Sequence, residues 1–171
     1  MKPKMLPVIF FMLCSLLLIW GCATNQVAMH LVDYTNQGLL NIAELERTAL
    51  EHYASVVGEN YTTDQRVYDE LKENVIPLYK RFLDGLRDIR PVDEEIRRVH
   101  GMYINGAELI YDGFKTKMLG LEMDNEQIII QGNEKIVKGR EEVEKWRVQL
   151  IELYKKYGVA QVKEKEEGSK K

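Results

Sequence analysis

Residues 125–158 read NEQIIIQGNEKIVKGREEVEKWRVQLIELYKKYG, and this stretch decides the fold class. Its apolar residues and glycines recur at alternating spacings of three and four, which places them on one face of an α-helix. The pair Asp124-Asn125 is suited to cap the start of this helix, and Gly158 is suited to end it. The face consists of Ile129, Gly132, Ile136, Gly139, Val143, Trp146, Leu150, Leu153 and Tyr157.

Three stretches with the same period precede it, and short breaks at Gly58, Pro91 and Asp124 separate the four. Short connections make consecutive helices antiparallel neighbours. The sequence therefore predicts an all-α protein, an up-down-up-down four-helix bundle of long antiparallel helices. The helices are expected to cover about residues 27–57, 63–89, 91–120 and 125–157.

Local signals refine the expected helix boundaries. Thr62 and Gln65 have the spacing of a capping box, so the second helix is expected to start there. Pro91 is suited to the first position of the third helix. Pro77 lies inside the second helix, where the missing backbone N–H predicts a kink.

The amino terminus has a different character. Two lysines at positions 2 and 4 precede the apolar stretch Leu6–Trp20, which is too short for the roughly 20 residues of a membrane-spanning helix. A positive start followed by a short apolar stretch and a small residue is typical of a secretory signal peptide.

The four residues that end this segment, Ile19-Trp20-Gly21-Cys22, resemble the lipobox of bacterial lipoproteins. The resemblance implies cleavage between Gly21 and Cys22 and attachment of lipid to the Cys22 thiol. Ala23 favours sorting to the outer membrane, with the inner membrane as the alternative. An uncleaved signal anchor, or a secretory peptide with a coincidental cysteine, would also fit these residues.

This interpretation divides the chain into four parts. Residues 1–21 form a cleaved signal peptide, residues 22–26 a lipidated tether, residues 27–158 the helical bundle and residues 159–171 a charged tail. Loss of Lys2 and Lys4 with the signal changes the formal charge from −3 to −5. Cys14 is lost as well, and Cys22 becomes a thioether, so the mature protein is expected to have no free thiol.

Composition excludes several classes of function. The chain has 171 residues, and its 24 basic side chains are balanced by 27 acidic ones, so the basic surface of a nucleic-acid-binding protein is missing. Two cysteines do not make a disulfide scaffold. The serines are confined to positions 15, 55 and 169, which leaves little material for a Ser-His-Asp triad. The sequence contains no other catalytic constellation and no cofactor motif. We therefore expect no enzyme and no cofactor.

Four-helix bundles can hold two metal ions through Glu-x-x-His pairs. No carboxylate precedes any of the three histidines at that spacing. His52 and His100 lie on or beside the apolar faces of their helices, so a contact between them is conceivable. Two hydrogen-bonded histidines at the edge of the core are the simpler interpretation, and a metal pair is the alternative.

Glycines at heptad spacing are the less usual feature. An interior helical glycine costs about 1 kcal/mol relative to alanine, so a series of them requires a reason. They either allow two helices to approach closely around Tyr103 and Trp146, or line a slot for an apolar ligand. The series consists of Gly106, Gly113, Gly120, Gly132 and Gly139.

Tyrosine is the second unusual feature, because all nine tyrosines belong to the mature chain. Six of them fall outside the apolar faces and are expected to flank the core, or to form a surface for a protein partner. These six are Tyr34, Tyr53, Tyr61, Tyr79, Tyr111 and Tyr154.

The sequence thus predicts a lipoprotein that is anchored to a membrane through Cys22 and faces the periplasm. Its expected role is that of a structural or protein-interaction module of the cell envelope, with an envelope protein as its partner. A carrier or sensor that binds an apolar ligand inside the bundle is the alternative, and a metal-dependent enzyme is the third possibility.

Overall fold

The computed structural model describes residues 26–159, which contain four long helices and no strand. About 87% of these residues are helical, which confirms the all-α class. The signal segment, Cys22 with most of the tether, and the tail from residue 160 onward lie outside the described residues.

The helices are named α1 to α4 in chain order. Helix α1 is described from residue 26 to residue 54 and includes a π-helical turn at Tyr34–Leu39 before its segment Leu40–Ala54. Helix α2 consists of Asp64–Glu70, a π-helical turn at Leu71–Val75, and Ile76–Asp88. Helix α3 is Glu94–Glu122 and helix α4 is Glu126–Lys156.

Three of the four helices begin at a side-chain cap. Thr63, Asp93 and Asn125 each accept a hydrogen bond from a backbone N–H two or three residues further on. Asn125 belongs to the pair Asp124-Asn125 that the sequence predicts as the cap of α4. The expected starts at Thr62 and Pro91 were wrong, because Thr63 and Asp93 place their oxygens over the free N–H groups of the first turn.

Two helices end in a turn that uses a left-handed residue. At the end of α4, Gly158 has φ 66°, and the Val159 N–H donates to the Tyr154 carbonyl at 2.9 Å. At the end of α3, Asp124 has φ 49°, and the Asn125 N–H donates to the Gly120 carbonyl at 2.8 Å. These bonds satisfy carbonyls that a helix end leaves unpaired.

The first helix is shorter than expected. It ends at Ala54, three residues before the predicted end, and Gly58 belongs to a separate turn at Gly58–Asn60 with φ 62°. Glycine fits that position because side chains rarely tolerate the left-handed conformation. Pro77 is the second residue after the π-helical turn of α2, and the helix continues through it to Asp88.

Three of the six tyrosines expected to flank the core are buried in it, namely Tyr34, Tyr53 and Tyr79. The π-helical turn of α2 explains the difference for Tyr79, because an extra residue per turn changes which positions face inward. Tyr34 follows the buried Leu31 at the ordinary helical spacing of three. In α2 the buried positions follow at a spacing of four through this turn. They are Val67, Leu71, Val75 and Tyr79.

Helices α3 and α4 share the most extensive contact, followed by α1 with α2 and α2 with α3. The core between them is rich in aromatic rings. Tyr79 meets Phe82 and Phe114 edge to face, with ring centroids 5.3 and 5.4 Å apart. Tyr53 also packs against Phe114, with ring centroids 4.8 Å apart.

Candidate functional site

The five glycines of the heptad series are all buried where α3 meets α4. A Cβ atom on Gly106 would lie 2.9 Å from the Gly139 carbonyl oxygen, and one on Gly139 would lie 2.7 Å from the Gly106 oxygen. Real Cβ atoms do not approach other atoms so closely. The two backbones are therefore in direct contact at this level.

The same contact is repeated along the two helices. A Cβ atom on Gly113 would lie 2.8 Å from the Gly132 carbonyl oxygen, and one on Gly120 would lie 2.6 Å from the Ile129 nitrogen. As the residue numbers rise along α3, those of their neighbours on α4 fall. We call this contact the glycine seam, and backbone atoms fill the space in which a ligand at the seam would have to sit.

Tyr103 and Trp146 also come together. Their rings are stacked with centroids 3.8 Å apart and an angle of 15° between the planes. The Tyr103 hydroxyl donates to a carboxylate oxygen of Glu46 on α1 at 2.5 Å. The two rings therefore link the α3–α4 pair to α1 through a partly buried hydrogen bond.

Glu46 was missed by the sequence analysis. It lies one residue after Leu45, on the edge of the apolar face of α1, so an extended view of that face would have included it. Burial raises the pKa of Glu46, and the hydrogen bond from Tyr103 opposes the rise. Burial and the neighbouring Glu46 raise the pKa of Tyr103 and of Tyr79. At neutral pH these phenols stay protonated.

A second buried polar contact joins α1 to α3. The Tyr34 hydroxyl and the His100 Nδ1 atom are 3.1 Å apart, and the two rings meet edge to face. Burial lowers the pKa of His100, and the positive charge of Arg90 lowers it further, although a contact with the Leu86 backbone opposes the shift. A neutral imidazole is therefore favoured in the folded protein.

Several buried polar atoms near these contacts have no hydrogen-bond partner among the described residues. They are the His100 Nε2, Trp146 Nε1 and Tyr79 hydroxyl atoms. Each buried group of this kind costs free energy, because its hydrogen bonds to water are lost without replacement. The paired groups, Tyr34 with His100 and Tyr103 with Glu46, are the ones that help to specify how the helices fit together.

We expect the free energy of unfolding to fall when the pH is lowered from about 7.5 to 5.5, because the ordinary pKa of histidine is about 6.5. The pKa of His100 is lower in the folded state, so the unfolded chain takes up the proton first and protonation favours unfolding. Urea unfolding of wild type and His100→Gln at both pH values measures this. The variant should lose less stability on acidification than wild type.

Glu46 provides the opposite control. Its pKa is raised on folding, so its contribution to stability is present at low pH and is lost as the pH rises above the ordinary value of about 4.3. Glu46→Gln removes this gain in stability at low pH, so the variant should lose more stability on acidification than wild type. Equal pH dependence in wild type and in both variants would contradict the lowered pKa of His100 and the raised pKa of Glu46.

His52 and His100 are not brought together. His52 Nδ1 lies 2.5 Å from a carboxylate oxygen of Glu70, whereas His100 contacts Tyr34. Tyr34 and His52 are both on α1, about 27 Å apart along its axis at 1.5 Å per residue. The conceivable contact between the two histidines is therefore not formed, because they lie at different levels of the core. Within residues 26–159, no group of three metal-ligating side chains is close enough to hold an ion.

A groove of about 460 Å³ lies between α1 and the end of α2, rather than at the glycine seam. Part of its lining is closely packed, since a Cβ atom on Gly85 would lie 2.8 Å from Ile42. Polar side chains line it as well. They include His30, Asp33, Gln37, Asp88 and Arg90.

Comparisons with protein-family models, with curated proteins and with solved structures found no match. Among the helices that the structure describes, none is long and apolar enough to cross a membrane. The site residues Gly21 and Cys22 lie outside the described range, so support for their role comes from the sequence alone.

Proposed function

We propose that this protein is a lipoprotein of the bacterial cell envelope, anchored through lipidated Cys22 and facing the periplasm. The sequence Ile19-Trp20-Gly21-Cys22 after a short apolar segment supports the anchor. Ala23 favours the outer membrane over the inner one. The helical domain serves as a structural or protein-interaction module beside that membrane.

We also infer that the four helices form one up-down-up-down bundle. The reversed order of contacts between α3 and α4 supports this arrangement. Between α1 and α2 the order is reversed as well, because Gly38 packs on Ile89 while Ile42 packs on Gly85. Hydrogen bonds from α1 reach both α3, through Tyr34 and His100, and α4, through Thr35 and Tyr154.

The observation that best supports an interaction role is an apolar stripe on the outer face of α4. Ile130, Val137 and Val148 are exposed, although each is a large apolar residue. Spacings of seven and eleven residues place the three side chains within about 20° of one another around the helix. The described part of the chain leaves this stripe uncovered. We propose that a protein partner in the envelope binds to it.

Photo-crosslinking in cells tests this assignment. A benzoylphenylalanine at Val137 should give one recurrent adduct with an envelope protein, because this residue is at the centre of the stripe. The same label at Lys80, an exposed position on α2, is the matched control and should not give that adduct. Failure to recover any adduct from Val137, Ile130 and Val148 would contradict the interaction role.

The groove between α1 and α2 supports a second candidate function, a carrier or sensor for an apolar ligand. Glycine and isoleucine residues form apolar parts of its lining, and charged side chains line it as well. Native mass spectrometry of the purified protein tests this candidate, since a bound lipid would add a defined mass. A metal-dependent enzyme is the third candidate, and elemental analysis of the same sample for iron, zinc and copper tests it.

A further inference from the structure

Exposed apolar side chains gather at the end of the protein from which the tether leaves. Met29 and Val32, on the first turns of α1, are 60% and 37% exposed. Val92, in the connection between α2 and α3, is 74% exposed, more than any other large apolar residue in the described range. Asp33 is a common neighbour of these positions. It lines one groove together with Val92 and another together with Met29 and Val32.

Charge is absent from the part of the chain that leads into this end. From Cys22 to Val32 no residue carries a full charge at neutral pH, and Asp33 is the first that does. On other outer faces charged side chains form ion pairs, such as Arg147 with Glu144 on α4. The first two turns of α1 thus present apolar side chains outward where a water-facing helix would present charges.

The tether is too short to let this end move away from a lipid anchor. Three residues lie between Cys22 and Gln26, and the four steps along the chain span at most ~14 Å at about 3.5 Å per residue. A face held so close to a bilayer has a high effective concentration at its surface, so a few apolar contacts are enough to keep it there.

We propose that Met29, Val32 and Val92 form a membrane-docking face that rests in the headgroup boundary of the bilayer holding the Cys22 lipid. This inference rests on the proposed lipid anchor. Arg90, two residues before Val92, directs one guanidinium nitrogen to the Ile89 carbonyl at 3.2 Å and keeps other N–H donors for lipid phosphates. The docking face fixes the orientation of the helices, with the α3–α4 turn directed away from the membrane.

A fluorescent label that responds to polarity tests the docking. Nitrobenzoxadiazole is attached to Val92→Cys or to Met123→Cys in the lipidated protein, reconstituted in vesicles of phosphatidylethanolamine and phosphatidylglycerol. Both positions are well exposed, and α3, whose 29 residues are about 43 Å long, separates them. We expect the Val92 label to emit at shorter wavelength and to be quenched several times more strongly by nitroxide lipids than the Met123 label.

The controls separate the docking face from the anchor. Wild-type protein takes up no thiol label if Cys22 is acylated and the signal is removed, so labelling of wild type would overturn the proposed anchor and the docking with it. An unlabelled wild type together with equal, water-like emission at both positions would overturn the docking alone. A shift at Val92 without lipid quenching would mean that a second copy or another protein covers this face, which also contradicts the docking.

Discussion

Gly132→Ala is expected to lower the free energy of unfolding by about 3 kcal/mol, the upper part of the range for overpacked cores. The added Cβ atom would lie 2.5 Å from the Lys117 nitrogen and 2.8 Å from its Cα atom. These are backbone atoms, which cannot rotate away as the end of a flexible side chain can. Helices α3 and α4 must therefore separate, and this loss exceeds the gain of about 1 kcal/mol in helix propensity.

Gly101→Ala is the matched control in the same helix pair. A Cβ atom on Gly101 has no neighbour within 4 Å. Alanine there should raise the free energy of unfolding by about 0.5–1 kcal/mol, because only the helix propensity changes. Urea unfolding of the purified protein, followed by circular dichroism, measures both variants. A neutral or stabilising Gly132→Ala would contradict the close contact of the two backbones.

Cys22→Ser is expected to move the protein from the membrane fraction to the soluble fraction. A serine hydroxyl cannot form the thioether that carries the diacylglycerol, and each buried methylene of the lipid contributes about 0.8 kcal/mol to anchoring. Two acyl chains therefore account for nearly all of the expected membrane affinity. Fractionation of cells, with an alkaline wash of the membranes and immunoblotting, measures the change.

Cys14→Ser is the control for this experiment. Cys14 lies inside the apolar segment Leu6–Trp20, which is expected to be removed with the signal, so its replacement should leave the membrane fraction unchanged. If Cys22→Ser stayed with the washed membranes as fully as Cys14→Ser does, lipid attachment at Cys22 would be the wrong interpretation.

Periodicity alone predicted the four helices well. The face of α4 proposed from spacing is buried or partly buried at all of its positions, from Ile129 to Tyr157. Helix ends were less predictable, because a side chain one or two residues away can take over the cap, as Thr63 and Asp93 do. The π-helical turns could not be predicted, since they depend on tertiary packing rather than on any local pattern.

The candidate site was predicted in part. Heptad glycines indicated a close approach, but their partners depend on the register between α3 and α4, which one helix does not specify. Tyr103 and Trp146 were both proposed for the seam and do stack. Their link to Glu46 was missed because a carboxylate is not expected beside a core unless a buried donor, here the Tyr103 hydroxyl, is already known.

The lipid on Cys22 is the central claim, and the mass of the amino-terminal peptide tests it most directly. The protein is extracted from cell membranes in detergent and digested, and the peptide that begins at Cys22 is measured. We predict that no peptide from residues 1–21 remains attached and that Cys22 carries the added mass of a diacylglyceryl thioether. An amino-terminal peptide that still includes Gly21, or an unmodified Cys22, would contradict the claim.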